Sequence, residues 1–359
     1  MEIDPCNIKM LESFCYKVEF YPSPPKKVCL PMLARLLRSL FSLEPYTIWR
    51  HYSKSFLERV DHLIQSDVFD IVHCDILPIV YSIRNKKCVF RSLTDHDVSY
   101  LKCFRMASKS SNFFMKIFCY FESYKLKMLE SKVINEVELT VVVSEVDKKI
   151  LQRLCPGARF EIIENGVDVD KFLPSFSQSE PKNLLWIGGF NHNPNKQGIY
   201  WFLEEIYPLI KILVPTIKLV LIGGGVTNKL KRFASADSSI KILGFVDDPI
   251  PYLQRATVFV APILSGGGTR LKLLEAMAAG KAIVTTSIGA EGIEGENNIH
   301  FLLADSNKEF ANSTVRLLEN ETLRILLGKN AREKAMLKYD WKKICNKLNQ
   351  IYRNYVSSD

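Results

Sequence analysis

Short apolar runs alternate with longer amphipathic stretches along most of the chain. In the first half, runs rich in β-branched and aromatic residues predict strands over 16–21, 69–74, 87–93 and 139–144. Apolar residues at helical spacing predict helices over 30–42, 52–66, 111–132 and 145–154. Strands that alternate with helices are typical of a parallel, doubly wound sheet, so the first half is predicted to be an α/β domain.

The second half repeats this pattern after a polar loop over 174–183. Its predicted strands have the sequences NLLWI, KLVLI, IKILG, TVFVAPI and AIVTT. The first of these strands ends in Gly188 and Gly189, and the helix after it is predicted to start near Gly198. We place the boundary between the two α/β halves near Gly166, where an Asn-Gly turn signal occurs.

The stretch from Ala261 to Thr286 combines a strand, a triple glycine and a helix. Gly266–Gly268 form the turn, and Gly280 is expected to end the helix as a C-cap glycine. A helix that starts after such a turn offers backbone N–H groups and a positive dipole end to phosphate. Arg270 and Lys272 lie in the first turn, where cations oppose the dipole unless an anion is bound.

The full string around Glu275, GGGTRLKLLEAMAAG, resembles the nucleotide-sugar site of family 4 glycosyltransferases, in a bacterial polysaccharide sugar transferase subgroup. A second motif, VVVSEVDKKIL followed by NGVDVDKF, resembles the path between the two domains of that family. The resemblance implies the GT-B architecture, in which two Rossmann-like parallel-sheet domains face a cleft. The domains would be 1–165, with a crossover helix at 340–359, and 166–339.

The resemblance also implies roles for individual residues. Glu275 would hold the donor ribose, while its usual partner glutamate, eight positions earlier, is replaced by Gly267. Gly189 occupies a position where most of the family has an arginine, so we expect Arg270 and Lys272 to supply the missing charge. The donor-binding set implied in this way is Gly188, Gly189, Asn195, Lys196, Gly244, Phe245, Val246, Gly267, Gly268, Thr269, Leu271 and Glu275. The alternative for Glu275 is an ordinary solvent-facing acid.

Two histidines lie at predicted strand ends, where α/β domains place their chemistry. His96 matches a family histidine that faces the transferred sugar, so the resemblance implies a catalytic set of His96, Arg270 and Lys272. His73 matches a weaker family position, and Arg105 resembles an arginine of the same subgroup. The alternatives are structural histidines and a solvated helix face.

The resemblance implies a retaining, metal-independent transferase. It would move a sugar from a nucleotide-diphosphate-sugar donor, which is a substrate, to a polysaccharide, glycolipid or lipid-linked acceptor, without a cofactor. One alternative is a non-catalytic or impaired paralogue that binds the nucleotide sugar, and another is a GT-B nucleotide-sugar epimerase. A dinucleotide dehydrogenase is disfavoured relative to both alternatives, because no G-x-G-x-x-G is followed by an acidic residue about twenty positions on.

Composition narrows the setting of this activity. Nine scattered cysteines without a C-x-x-C pair are typical of a reduced, cytoplasmic protein and indicate neither disulfides nor a zinc site. The net charge of +9 suits anionic substrates or an anionic membrane surface, but forms no nucleic-acid-binding stripe. The apolar residues of 30–50 and 111–132, among them Leu33, Leu37 and Phe41, are either core positions or a lipid-facing surface at the inner face of the membrane.

The chain begins with a predicted helix, NIKMLESFC, that leads into a strand. Relative to the family, the opening strand and its glycine-rich turn are not in the sequence. We therefore expect the first domain to lack one strand–helix unit of about 30 residues, and expect donor binding to exceed transfer.

Overall fold

The structure is a computed structural model that describes residues 5–21, 30–66, 69–84, 90–109, 112–174 and 182–356. These residues form two parallel sheets, each flanked by helices, which confirms the predicted α/β class. The expectation of a further unit before the first helix is not tested by these residues and stays a prediction.

The first sheet contains four parallel strands in the described residues, and they are neighbours in chain order. The strands are β1 (Ile71–Cys74), β2 (Phe90–Asp95), β3 (Leu139–Val142) and β4 (Phe160–Ile162). The helices are α1 (Pro5–Glu12), α2 (Leu30–Leu40), α3 (Tyr46–His51), α4 (Lys54–Ser66), α5 (Ser99–Lys109), α6 (Phe113–Glu136) and α7 (Glu145–Leu154), with a 3₁₀ helix at Leu77–Ser82. The buried face of α6 packs on this sheet through Leu126, Leu129 and Val133.

The strand prediction over 16–21 is wrong, because this segment pairs with no strand among the described residues. It lies along α4 instead. Arg59 of α4 binds the Glu19 carboxylate at 2.7 Å, and the ring of Tyr21 meets that of Phe56 edge-on. A segment with alternating apolar residues forms a strand only where a neighbouring strand can pair with its backbone N–H and C=O groups.

The second sheet contains six parallel strands in the order β10-β9-β8-β5-β6-β7. The strands are β5 (Asn183–Ile187), β6 (Lys218–Ile222), β7 (Ile240–Gly244), β8 (Val258–Ala261), β9 (Ile283–Thr285) and β10 (Leu302–Leu303). The helices are α8 (Asn193–Trp201), α9 (Tyr207–Leu213), α10 (Asn228–Ala236), α11 (Ile250–Arg255), α12 (Leu271–Ala278), α13 (Ser287–Ala290), α14 (Asn307–Glu319), α15 (Glu321–Lys338) and α16 (Trp341–Val356), with a π-helical turn at Phe202–Ile206. This strand order is that of a dinucleotide-binding fold, and it reverses direction between β5 and β8.

Two element boundaries in the second domain affect the site. Helix α8 begins at Asn193, five residues before the predicted start, because Pro194 suits the first helical turn. Asn195 and Lys196 therefore lie on a helix rather than in a loop. Gly280 follows α12 with φ of 65°, as predicted for a C-cap glycine, and its N–H bonds to the carbonyl of Met277 at 2.9 Å.

The last helix, α16, returns to the first domain. Val167 and Asp340 form a β-bridge where the chain passes between the two sheets. Beyond it, Ile344 packs against Leu139 and Val141 of β3. The helix therefore ties the two halves together by apolar contact as well as by chain connection.

Candidate active site

The candidate site lies at the carboxyl ends of β5 and β8, where the strand order of the second sheet reverses. Open α/β sheets bind ligands in the crevice at this point. The turn after β5 contains Gly188 and Gly189, and the loop after β8 contains the triple glycine. The first domain closes over the loop, since a Cβ added at Gly268 would lie 2.7 Å from the carbonyl oxygen of His96.

The triple-glycine loop is held by Arg270, the residue at the start of the following helix, α12. The guanidinium of Arg270 donates hydrogen bonds to the carbonyls of Gly267 and Gly268 and, at 3.5 Å, to that of Ile288. Thr269 is buried, with its hydroxyl 3.4 Å from the carbonyl of Gly292. The half-buried Arg270 side chain is thus directed at the backbone of the loop. Leu271, the first helical residue, is exposed.

The side chain of Lys272, from the helix after the triple glycine, reaches the glycine turn after β5. Its Nζ donates to Oδ1 of Asn195 at 2.8 Å and lies 5.0 Å from the ring centre of Trp186. A Cβ added at Gly188 would be 3.1 Å from this nitrogen. Burial, reinforced by the positive charge of Arg270, lowers the pKa of Lys272 to about 7.

The turn after β5 leaves room beside this ammonium group. A Cβ added at Gly189 would meet no atom within 4 Å, and Gly189 itself is exposed. The side-chain amide of Asn195 donates to the Gly189 carbonyl at 3.2 Å and so fixes the turn. Lys196 is exposed on the next residue of α8. The space next to Gly189 is therefore open, whereas Asn195 and Lys272 fill the space next to Gly188.

Glu275 occupies the same helix one turn after Lys272. Its side chain is half-buried, and burial raises the pKa of its carboxyl, while Lys171 and Lys272 act to lower it. Within the described ranges, no side chain or backbone group donates a hydrogen bond to this carboxylate. A carboxylate in this state has both oxygens available to an external donor.

The turn after β7 forms another wall of the crevice. Gly244 has φ of 74°, and its carbonyl accepts the N–H of Gly223 at 2.8 Å, which joins the ends of β6 and β7. Phe245 follows with 76% of its surface exposed, and Val246 is half-buried. An exposed aromatic side chain beside a glycine turn offers a flat apolar surface to a ligand ring.

His96 lies at the end of β2, and its backbone carbonyl lies next to the glycine loop. Its Nε2 is 3.2 Å from Oδ1 of Asp75, at the end of β1, so the carboxylate fixes the orientation of the ring. His73 is engaged elsewhere, since its Nδ1 meets the Tyr352 hydroxyl at 2.7 Å and its Nε2 meets the Thr94 hydroxyl at 3.2 Å. Sequence reasoning missed Asp75, although an acid directly after a buried strand was the available signal.

Arg105 binds across the cleft. Its two terminal nitrogens meet the two carboxylate oxygens of Glu291 at 2.7 and 2.8 Å, and Nη1 also donates to the carbonyl of Gly266 at 3.1 Å. The interpretation of Arg105 as a solvated helix face is therefore wrong. Nothing in the sequence singled out Glu291, because its partner lies 186 positions away.

A cavity of about 290 Å³ lies beside this contact, between the two domains. Met106, Met115 and Cys119 form its wall in the first domain, while His192 and Pro194 face them from the second. A larger cavity of about 460 Å³ lies at the amino ends of β5 and β6, at the opposite edge of the second sheet from the glycine turns. Of these two cavities, the smaller borders the glycine loop, at Ser265 and Gly266.

Comparison with known proteins agrees with the motif and the fold. Residues 181–320 match the family model described as Glycosyl transferases group 1. Over 362 residues, 97% of this chain and 87% of the other, the sequence is 23% identical to an uncharacterized 44.6 kDa protein in the cps region of Klebsiella pneumoniae. Over 210 residues, 54% of each chain, it is 30% identical to N,N'-diacetylbacillosaminyl-diphospho-undecaprenol alpha-1,3-N-acetylgalactosaminyltransferase of Campylobacter jejuni. The chain thus spans about half the length of this named relative.

Solved structures share the fold at low sequence identity. Sucrose-phosphate synthase from Thermosynechococcus elongatus superposes with a TM-score of 0.70 at 17% identity, over 85% of this chain and 78% of that one. Anabaena HepE, solved in complex with UDP and glucose, superposes with a TM-score of 0.66 at 14% identity, over 96% and 88%. Residues 181–320, most of the second domain, thus match the group 1 glycosyltransferase family, and the chain shares the GT-B architecture of these solved structures.

Proposed function

We propose that this protein transfers a sugar from a nucleotide-diphosphate-sugar donor to a lipid-linked saccharide, with retention at the transferred carbon and without a metal ion. The observation that carries the proposal is the position of Lys272. Its ammonium group lies between the glycine turns of β5 and β8, at the crevice where the sheet order reverses. A cation in this place, beside open backbone turns, suits a diphosphate.

The surrounding groups suit the rest of the donor. Glu275 has both carboxylate oxygens available for the ribose hydroxyls. Phe245 and the backbone after Gly244 line the side of the crevice that would receive the base. In this arrangement Lys272 replaces the family arginine that Gly189 lacks, while Arg270 acts mainly on the glycine loop.

The reaction requires stabilisation of the leaving diphosphate. Lys272 and the N–H groups at the start of α12 lie where negative charge would develop as the sugar–phosphate bond breaks, and fixed donors of this kind lower the barrier. His96, held by Asp75, is positioned to orient the transferred sugar from the first domain. These residues bind, orient and neutralise charge, which is the chemistry that the proposal needs.

The names of two relatives support a lipid-linked acceptor. The Campylobacter enzyme is named for an acceptor on diphospho-undecaprenol, and an Escherichia coli relative, 27% identical over 55% of each chain, is UDP-Gal:alpha-D-GlcNAc-diphosphoundecaprenol alpha-1,3-galactosyltransferase. Among the helices of the described ranges, none has the length and apolar character to cross a bilayer. We therefore propose that the protein meets such an acceptor as a peripheral protein at an anionic membrane surface.

One face of α6 suits that surface. Side chains at one-face helical spacing are exposed there, namely Phe113, Ile117, Tyr120, Phe121, Tyr124 and Met128. Two of the three carboxylates of this helix, Glu122 and Glu130, are buried, whereas Lys127 and Lys132 are exposed. An apolar stripe bordered by cations without exposed acids is complementary to anionic lipid.

The end of α2 extends this apolar face. Buried Lys125 donates to the carbonyl of Ser39 at 2.6 Å, and buried Glu122 accepts the Ser39 hydroxyl at 3.2 Å. These contacts place Phe41 and Leu43 beside α6, and 91% and 84% of their surfaces are exposed. Leu37 is exposed as well, so the core interpretation of Leu37 and Phe41 is wrong, while the side chain of Leu33 lies outside the described residues.

The transfer reaction is tested with a panel of UDP-, GDP-, ADP- and dTDP-sugars and polyprenyl-diphosphate saccharides, with products identified by mass spectrometry. Addition of EDTA and NMR of the new anomeric centre test metal independence and retention. Transfer to the lipid-linked acceptor is expected. Interconversion of the sugar without an acceptor would instead show an epimerase, and binding without any product a non-catalytic paralogue.

The membrane surface is tested by co-sedimentation with vesicles of phosphatidylcholine alone or with phosphatidylglycerol. We expect binding only to the anionic vesicles and loss of binding in the double variant Phe113→Ser, Ile117→Ser. Ile212→Ser removes an apolar residue of the second domain that is more exposed than Phe113 or Ile117, and it serves as the control. Equal sedimentation of the double variant and the wild type would refute this surface.

A further inference from the structure

Arginines hold the three carbonyls of the triple glycine from two sides. Arg105 of the first domain donates to the Gly266 carbonyl at 3.1 Å. Arg270, at the start of α12, donates to the carbonyls of Gly267 and Gly268. The orientation of every peptide group in this loop is therefore set by a guanidinium.

This orientation decides where the N–H groups of the loop point. In a planar trans peptide the N–H is directed opposite to the carbonyl of the preceding residue. The N–H of Gly267 consequently faces away from Arg105, and those of Gly268 and Thr269 face away from Arg270. In the part of the chain that the structure describes, none of the three donates a hydrogen bond to a protein atom. Successive free N–H groups of this kind form an anion-binding concavity.

We propose that Arg105 is a positioning residue for donor binding, which shapes this loop from the opposite domain. The inference rests on the proposed function, since it assigns the loop N–H groups to the donor. The guanidinium of Arg105 binds both carboxylate oxygens of Glu291, at 2.7 and 2.8 Å. This contact fixes the guanidinium so that one nitrogen remains directed at the Gly266 carbonyl. Geometry of this kind is specific to arginine, because the single ammonium of lysine cannot form the same fork.

The arrangement couples the two domains to the donor. Arg105 reaches the Gly266 carbonyl only while α5 lies against the loop, so the N–H of Gly267 is oriented only when the cleft is closed at this point. Arg270 holds the other two peptide groups from within their own domain. A donor that binds the oriented N–H groups then favours the closed form, and closure favours the donor to the same extent. Arg105 touches no part of the donor in this scheme, and its effect passes through the loop.

The test compares Arg105→Ala and Arg105→Lys with the wild type by calorimetry, with UDP, GDP and ADP as probes. We expect the tightest of these diphosphates to bind at least tenfold more weakly to Arg105→Ala, and three- to tenfold more weakly to Arg105→Lys. Binding of the matching free nucleoside should change less than twofold. Arg153→Ala removes an exposed arginine of the same domain and should leave affinity unchanged.

The same variants separate positioning from mere structural support. Loss of structure would lower the calorimetric stoichiometry, and hence kcat, without altering the affinity of the folded fraction. Positioning instead raises the donor KM and leaves the acceptor KM unchanged. Arg105→Lys keeps the domain charge and provides the test if the alanine variant does not fold. Wild-type affinity in Arg105→Lys or Arg105→Ala would overturn the inference, whereas a wild type that binds none of the three diphosphates would overturn the proposed function itself.

Discussion

Buried ionisable groups of opposite sign lie near the carboxyl ends of the strands in the two domains. In the first domain, burial raises the pKa values of Asp95, Asp147 and Glu130, the last to about 8. In the second, burial lowers the pKa of Lys272 to about 7. The second domain thus has a buried cation on its side of the cleft, which a bound anion would stabilise. The buried acids lie in the first domain.

The domains also differ in how they treat apolar surface. Both faces of the second sheet are covered by continuous buried clusters that include Trp186 and Phe259. The first domain has smaller clusters and exposes the aromatic stripe of α6. The difference is that the second sheet is covered on both faces, whereas the first domain leaves an apolar helix face exposed.

The largest effect is expected from Lys272→Ala, because it removes the charge on the donor side. Loss of hydrogen bonds from an ammonium to phosphate should cost about 3 kcal/mol, or roughly a hundredfold in affinity for the nucleoside diphosphate. The free nucleoside should bind as before, and calorimetry measures both. Lys241→Ala, an exposed lysine on β7, is the control. Equal losses for both ligands would show that Lys272 only supports the fold.

A second variant sharpens this test. Since a Cβ added at Gly189 meets no atom within 4 Å, we expect Gly189→Arg to be accommodated without distortion of the turn. If Lys272 replaces the family arginine, Gly189→Arg should restore at least tenfold of the affinity lost in Lys272→Ala. No recovery in a folded double variant would contradict the compensation.

Glu275→Ala should have the next largest effect, about 2 kcal/mol, because a charged acceptor loses its hydrogen bonds from ribose. UDP, GDP or ADP should bind at least tenfold more weakly, as measured by calorimetry. The effect should shrink when the probe is the corresponding 2'-deoxynucleoside diphosphate, which lacks one hydroxyl. An unchanged affinity would make Glu275 an ordinary surface acid of α12.

The pH dependence of donor binding should be smaller but diagnostic. With a pKa of about 7, Lys272 is half neutral in the free protein at pH 7, and a diphosphate favours its charged form. Binding should therefore take up a proton, and affinity should fall by up to about tenfold per pH unit above pH 7. Calorimetry in buffers of different ionisation enthalpy measures the uptake. Lys272→Ala should abolish it, and its persistence in that variant would exclude Lys272 as its source.

The smallest effect is an opposite pH response of the two domains. The raised pKa of Glu130 gives the first domain stability below about pH 4.5 that is lost as pH rises through about 8. The lowered pKa of Lys272 gives the second domain stability above about pH 10.5 that is lost as pH falls through about 7. Hydrogen exchange between pH 6 and 8 should show the first domain weakening relative to the second. Parallel trends would contradict this division of buried charge.

Local pattern was enough to predict most of the fold. Apolar runs located β1–β3 and β5–β9 but gave a false strand over 16–21, and the glycine pattern located the turns of the second domain. Helical periodicity predicted α6. It did not decide whether the apolar residues of this helix belong to the core or face lipid, because an apolar stripe has the same pattern in both cases. The start of α8 was predicted five residues too late, because Asn193 and Pro194 are typical of a loop as well as of a first helical turn.

The sequence by itself determined the α/β class, the triple-glycine turn before a helix and the cations Arg270 and Lys272 at its start. These features depend on backbone preferences and on neighbours a few residues apart. Only the tertiary structure decided what those cations touch. It directs Arg270 to the loop carbonyls and Lys272 to Asn195, and it brings Arg105 to Glu291 across 186 positions of chain. Such contacts follow from the packing of two domains, which no local pattern encodes.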